Sequence, residues 1–271
     1  MVNPSEILPL SPDAPVLAPE PIALQTRNLT RWFGDFVAVN HLHLTVRRGS
    51  FFGFLGPNGA GKSTTIKMLT GLLAPTDGEI ELLGHDLIAD PIAVKRLIGV
   101  VPEDLNLFDR LTGAEYLTFV GRMHELERHV IAERTAELLH VMELEDKPKS
   151  LLIEYSHGMR KKISLAAALL HNPQMLFLDE PFEGVDAVAA RTIKNLLERM
   201  RERGVTIFLT SHILEIVERL CTDIAIINHG RIVTAGRLDE LRAQAGTTLE
   251  EYFVNLVGGE RHRTGTLSWI G

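Results

Sequence analysis

Gly56-Pro57-Asn58-Gly59-Ala60-Gly61-Lys62-Ser63 satisfies the phosphate-loop pattern G-x-x-x-x-G-K-[ST] at every fixed position, directly after the apolar run Phe51 to Leu55, which reads as a buried strand. Glycines let the backbone fold around an anion without Cβ clashes and turn successive N–H groups inward. Lys62 then reaches the β- and γ-phosphates, and the Ser63 hydroxyl is a ligand for magnesium. The loop continues into Thr64-Thr65-Ile66-Lys67-Met68-Leu69, a helix pattern whose N-terminal dipole adds to the attraction. At average residue frequencies such a match arises by chance roughly once in 30,000 windows. The stretch therefore implies a bound nucleoside triphosphate.

Composition narrows the class. With 271 residues, 45% of them hydrophobic, the chain buries a substantial core. The single cysteine, Cys221, excludes an internal disulfide framework and fits reducing cytoplasm. A formal net charge of −7 leaves no global basic footprint, so nucleic acid is not an expected partner. No apolar run approaches the roughly 18 to 20 residues that cross a bilayer, and the N-terminus lacks the basic-then-apolar order of a signal peptide. A membrane role is thus expected to come through another chain.

Three regions are expected. Residues 1–21 hold six of the thirteen prolines and no periodicity, the pattern of an extended, disordered leader. An α/β domain follows over 22–240, opening with short β-rich runs at 23–29, 37–46 and 51–55. Its middle, about 109–171, reads as helical: Thr112-Gly113-Ala114-Glu115 has capping-box spacing, and a second amphipathic stretch covers 130–144. Apolar strands at 175–178, 205–210 and 223–228 then alternate with helix-length segments, as in a parallel α/β sheet. Residues 241–271 are expected to form a C-terminal helix and a loose tail.

The strand pattern of Met175-Leu176-Phe177-Leu178 ends in Asp179-Glu180. Strand C-termini face the ligand crevice of such sheets. There Asp179 is placed to hold magnesium and Glu180 to orient or deprotonate an attacking water. An ordinary polar strand end is the competing reading, which the phosphate loop upstream and Pro181 downstream disfavour.

Between these elements stands Tyr155-Ser156-His157-Gly158-Met159-Arg160, opening a helix-like run over 161–170. The order of phosphate loop, helical insert, S-x-G-M, the Asp-Glu-Pro strand end, Gly184-Val185-Asp186 and Thr210-Ser211-His212 resembles the ATP-binding subunit of ABC transporters over roughly residues 23–240. The resemblance implies a P-loop NTPase fold: a RecA-like parallel core, an N-terminal antiparallel β subdomain and a helical signature subdomain. It further implies ATP with Mg2+ as cofactors. Residues Gly56, Pro57, Asn58, Gly59, Ala60, Gly61, Lys62, Ser63 and Thr64 would cradle the phosphates. Phe33 falls where the family places an aromatic that stacks on adenine, with Trp32 as its rival. Ser156 and Gly158 match the signature that contacts the γ-phosphate of ATP held by the other subunit, Asp186 matches the loop linking the two sites, and His212 matches the switch histidine.

Two departures bear on the chemistry. Glu103 stands where the family commonly has a Gln that touches magnesium and the membrane partner; a carboxylate also ligates magnesium, so Glu103 is kept as a metal and phosphate sensor. His157 and Met159 replace the commonest signature residues, a variant similar to the branch that drives export. The neighbouring Arg160-Lys161-Lys162 is expected to be a solvated helix face. What the resemblance implies is an ATPase working with a second copy or a homologous subunit. It would sit peripherally on the inner face of the cell membrane through separately encoded permease subunits. A soluble ATPase of the same type, serving a partner such as a cluster-assembly complex, is the alternative.

Overall fold

The computed structural model describes residues 21–258; the Pro-rich leader and the tail after Gly258 lie outside them, apart from Pro21. The architecture follows from strand burial. In β3 (Phe51–Leu55), β7 (Met175–Asp179) and β8 (Thr206–Thr210) every residue is buried, as a sheet covered on both faces requires. These strands join β6 (Ile98–Val101), β9 (Asp223–Asn228) and β10 (Arg231–Arg237) in a six-stranded sheet of order β10-β9-β3-β8-β7-β6. All neighbouring pairs are parallel except β9 with β10. A second, antiparallel sheet of order β2-β1-β4-β5 is built from β1 (Ile22–Phe33), β2 (Phe36–Arg47), β4 (Asp77–Leu82) and β5 (His85–Asp86).

Side-chain alternation along β3 divides the core in two. Phe51 and Leu55 join one cluster with Leu176, Leu178, Ile207 and Leu209. Phe52 and Phe54 join the other, with Phe177, Phe208 and the inner face of the antiparallel sheet. Phe208 anchors this second cluster: its ring centroid lies 5.4–5.5 Å from those of Phe52, Phe54 and Phe177. The antiparallel sheet thereby braces the face that also carries α1 (Lys62–Leu69), the helix leaving the phosphate loop.

The central region is helical as expected, with α3 (Gly113–Met123), α4 (Arg128–Val141) and α5 (His157–Leu169) after the short α2 (Pro91–Leu97). Both capping-box bonds at the start of α3 are present: Glu115 N–H donates to Thr112 Oγ1 at 3.3 Å, and Thr112 N–H donates to Glu115 Oε2 at 2.9 Å. Helices α6 (Ala187–Glu202) and α7 (Leu214–Leu220) connect the later strands. Two helices stand where one C-terminal helix was expected, α8 (Leu238–Ala245) and α9 (Leu249–Val257). Gly246 at φ 62° stops α8, and Thr248 caps α9 by accepting the Glu251 N–H.

The basic run in α5 is not a solvated face. Lys161 and Lys162 are buried, Lys162 Nζ donates to Glu143 Oε2 at 2.7 Å, and Arg160 donates to Asp109 Oδ1 and Leu152 O. The expectation fails because α5 is packed on the side where these residues lie, and specific acceptors meet each cation.

Candidate functional site

The phosphate loop turns from β3 into α1 through two points that only glycine fits. A Cβ on Gly56 would lie 2.4 Å from Ile227 O, and one on Gly61, at φ 108°, would lie 2.6 Å from Ala38 O. Ala60 sends its methyl into the core instead. Lys62 Nζ lies back over the loop, donating to Gly56 O at 2.7 Å and Pro57 O at 3.2 Å. The loop borders a cleft of about 700 Å³, whose lining includes Gly56, Pro57, Asn58, Gly59, Gly61, Lys62, Ser63 and Thr64.

Opposite the loop, the cleft is lined by Glu103, Asp179, Glu180, Glu183 and His212. Pairing of β7 with β8 sets Asp179 directly beside Thr210. Thr210 Oγ1 donates to Asp179 Oδ1 at 2.6 Å and accepts the Glu180 N–H at 3.0 Å. Glu180 itself has φ 46°, a left-handed conformation that places it just past the strand end. Its Oε2 accepts the His212 N–H at 3.3 Å and lies 3.0 Å from His212 Nδ1. Thr210 had no role in the sequence reading. The only local signal was its place in Thr210-Ser211-His212, and its function depends on strand register.

Charge is unbalanced here. Burial raises the Asp179 carboxyl above its usual range, opposed by the Thr210 hydrogen bond and by Lys62. Burial also raises Glu103, and Asp179 and Glu183 push it further in the same direction. Among the described residues no three carboxylates or imidazoles come together as a metal site; Asp179, Glu103 and Ser63 line the cleft with oxygen atoms of the kind a hard divalent cation takes, and would hold one only together with phosphate oxygens. Glu103, Asp179 and Ser63 are the three that border both this cleft and an apolar groove of about 910 Å³ running along α1, α2 and α3.

Ser156, Gly158 and Asp186 do not line the cleft. They stand at the starts of α5 and α6: Ser156 caps α5 by accepting the Met159 N–H, Asp186 caps α6 by accepting the Val188 and Ala189 N–H groups, and Gly158 lies close to Asp186, where a Cβ would stand 3.3 Å from Oδ2. His157 Nε2, 3.1 Å from Glu183 O, ties this cluster to the cleft wall. Phe33 is likewise outside the lining and carries the Arg31 guanidinium 4.6 Å from its ring centre. Its cross-strand partner Phe36 lines the cleft, with Ala38 and, from α9, Phe253. None of these last three was singled out from sequence.

The ABC transporter family model matches residues 39–183. The linearmycin resistance ATP-binding protein LnrL of Bacillus subtilis is 36% identical over 223 residues, which cover 82% of this chain and 72% of that protein. The daunorubicin/doxorubicin resistance ATP-binding protein DrrA of Streptomyces peucetius is 37% identical over 227 residues, 84% of this chain and 69% of that one. A solved ATP-binding subunit of an ABC transporter superposes with a TM-score of 0.81 at 32% identity, covering 86% of this chain and 99% of that chain. With the phosphate loop, the paired carboxylates and the ordered motifs in place, the chain belongs to the ABC transporter family as an ATP-binding, ATP-hydrolysing subunit.

Proposed function

We propose that this chain is one of two nucleotide-binding subunits of a membrane exporter, and that two ATP molecules are held head to tail between them. The observation carrying this reading is the separation of the parts. Lys62, Asp179, Glu180 and His212 share one cleft, whereas Ser156, Gly158 and Asp186 form a separate cluster outside its lining. A second subunit supplies what the cleft lacks: the N-terminus of its α5, aimed at the γ-phosphate.

Within the cleft, Lys62 exchanges its loop carbonyls for β- and γ-phosphate oxygens. Ser63, Asp179 and Glu103 are the oxygen donors for Mg2+, which neutralises phosphate charge when bound. Glu180 accepts the proton of the attacking water, and His212, held against Glu180, contacts the γ-phosphate. Phe33 lies outside the cleft lining but is paired across the hairpin with Phe36, which borders the cleft, and this aromatic pair is what offers a π-face to adenine. The apolar groove beside Glu103 receives the permease subunit, so closure of the pair moves the membrane component from the inner face of the membrane. Export as the direction rests on the S-H-G-M signature and on relatives named for drug resistance.

Lys62→Ala tests the cleft: the folded variant should lose MgATP binding and turnover together. Purification of the tagged full chain after gentle detergent extraction of its native membrane tests the assembly. An integral membrane protein in the complex is expected; soluble partners alone would overturn the transport reading.

A further inference from the structure

Lys161, in the second turn of α5, is only 2% exposed. Its Nζ donates to Glu103 O and to Glu180 O, each at 3.2 Å. A buried ammonium is costly unless it is paired, yet among the described residues Lys161 forms no direct salt bridge. Its charge is balanced at longer range by Glu183, Asp179, Glu103 and Glu180, which oppose the lowering of its pKa by burial.

The two carbonyls belong to loops that leave neighbouring strands, β6 and β7. Both carry carboxylates into the nucleotide cleft. At Glu180 the bond has a second consequence. A non-glycine residue at φ 46° persists only where its surroundings hold it there. The Glu180 N–H is held by Thr210 Oγ1 and its carbonyl by Lys161 Nζ, so the left-handed backbone is fastened at both ends.

We propose that Lys161 is a positioning residue for ATP hydrolysis: its ammonium pins the Glu103 and Glu180 loops to one point and holds both carboxylates around the place of the γ-phosphate. The pin also joins these loops to the helix that begins after Ser156, because Lys161 lies on α5. The inference rests on Glu180 and Glu103 flanking the reacting phosphate.

The test is steady-state hydrolysis of MgATP by the full chain, together with nucleotide affinity measured separately. Lys161→Met should lower kcat about 10- to 100-fold, with the dissociation constant for MgATP changed by less than about 3-fold. Lys161→Arg, which restores donors and charge, should recover turnover at least in part. Wild-type kcat in folded Lys161→Met overturns the inference. So does a parallel loss of affinity and turnover that tracks thermal stability, since that is a merely structural role. If Lys161→Met fails to fold, Lys161→Gln decides, because its shorter amide reaches at most one of the two carbonyls: reduced kcat at unchanged affinity supports the pin, and wild-type kcat overturns it. Glu180→Gln measured alongside separates the two readings. If that variant is inactive while Lys161→Met is normal, only the pin fails; if Glu180→Gln is itself fully active, the assignment of the site fails.

Discussion

Thr210 Oγ1 donates a 2.6 Å hydrogen bond to Asp179 Oδ1, between residues that stand directly in register on adjacent parallel strands. The same hydroxyl accepts the backbone N–H of Glu180. One uncharged group therefore orients the carboxylate assigned to the metal and the backbone of the carboxylate assigned to water. Asp179 and Thr210 are both buried, so the bond is shielded from competition with solvent and partly offsets the cost of burying Asp179.

Thr210→Val keeps the shape of the side chain and removes the hydroxyl. It leaves Asp179 Oδ1 and the Glu180 N–H without this partner, at a cost to stability of about 1–3 kcal/mol. Urea denaturation should show the loss, and turnover should fall further than stability predicts. Thr210→Ser should restore both. A Val variant with normal stability and turnover would remove Thr210 from the site.

Glu180→Gln retains size and most hydrogen bonding but does not take up the proton of water at neutral pH. Loss of a general base typically costs 10² to 10⁴ in rate, or roughly 3–5 kcal/mol in the barrier. With hydrolysis slowed, MgATP but not MgADP should drive the variant from monomer to dimer, because only the closed pair binds ligand at both faces. Sedimentation with each nucleotide measures this. An inactive variant that never dimerises would count against closure as the mechanical step.

Ser156→Arg places a bulky cation at the N-terminus of α5, outside the chain's own nucleotide cleft. ATP binding by the monomer should be nearly unchanged while hydrolysis is suppressed. Mixing Ser156→Arg with Lys62→Ala should restore at most one competent composite site per mixed dimer. Full activity of Ser156→Arg alone would remove the requirement for a signature supplied in trans.

His171 is held near neutrality by its surroundings. Its Nε2–H donates to Ile98 O at 2.9 Å, and its ring stacks on His124 with centroids 3.8 Å apart. Burial, then the charge of His124, lowers its pKa to about 4. A histidine in the unfolded chain titrates near pH 6.5. Between those values the unfolded state binds more protons, so this contribution to stability is present above about pH 6.5 and declines as pH falls towards 4. His171→Gln keeps a donor for Ile98 O and removes the titration. The gap between urea midpoints at about pH 7 and about pH 5 should therefore narrow, and an unchanged gap would contradict this account.

Much of the fold is legible because its signals are local. A glycine-rich loop between an apolar strand and a helix, a strand closing on Asp179-Glu180, and capping at Thr112 each depend on residues a few positions apart. Strands β3 and β9 match the expected ranges, and α3 starts at its expected cap. Motif order was enough to identify the family, and the loop residues, Glu103, Asp179, Glu180 and His212 that it singled out lie along one cleft, whereas Ser156, Gly158 and Asp186 do not.

What the sequence left open depends on contacts between distant segments. Lys161 and Lys162 read as surface cations because no spacing rule places Glu103, Glu180 or Glu143 beside them; the packing of α5 does. Phe36 borders the cleft and its direct cross-strand partner Phe33 does not, a difference that no local spacing in the sequence marks. Thr210 gains its partners from strand register, and Glu180 its left-handed backbone from acceptors and donors on either side. Amino-acid order determined which chemical groups the chain carries and the local elements that bear them, because glycine freedom, helix capping and strand alternation act over a few residues. Tertiary structure alone decided which of those groups meet, because hydrogen bonding and desolvation act across segments that the sequence keeps far apart, 58 positions between Glu103 and Lys161 and 176 between Arg47 and Asp223.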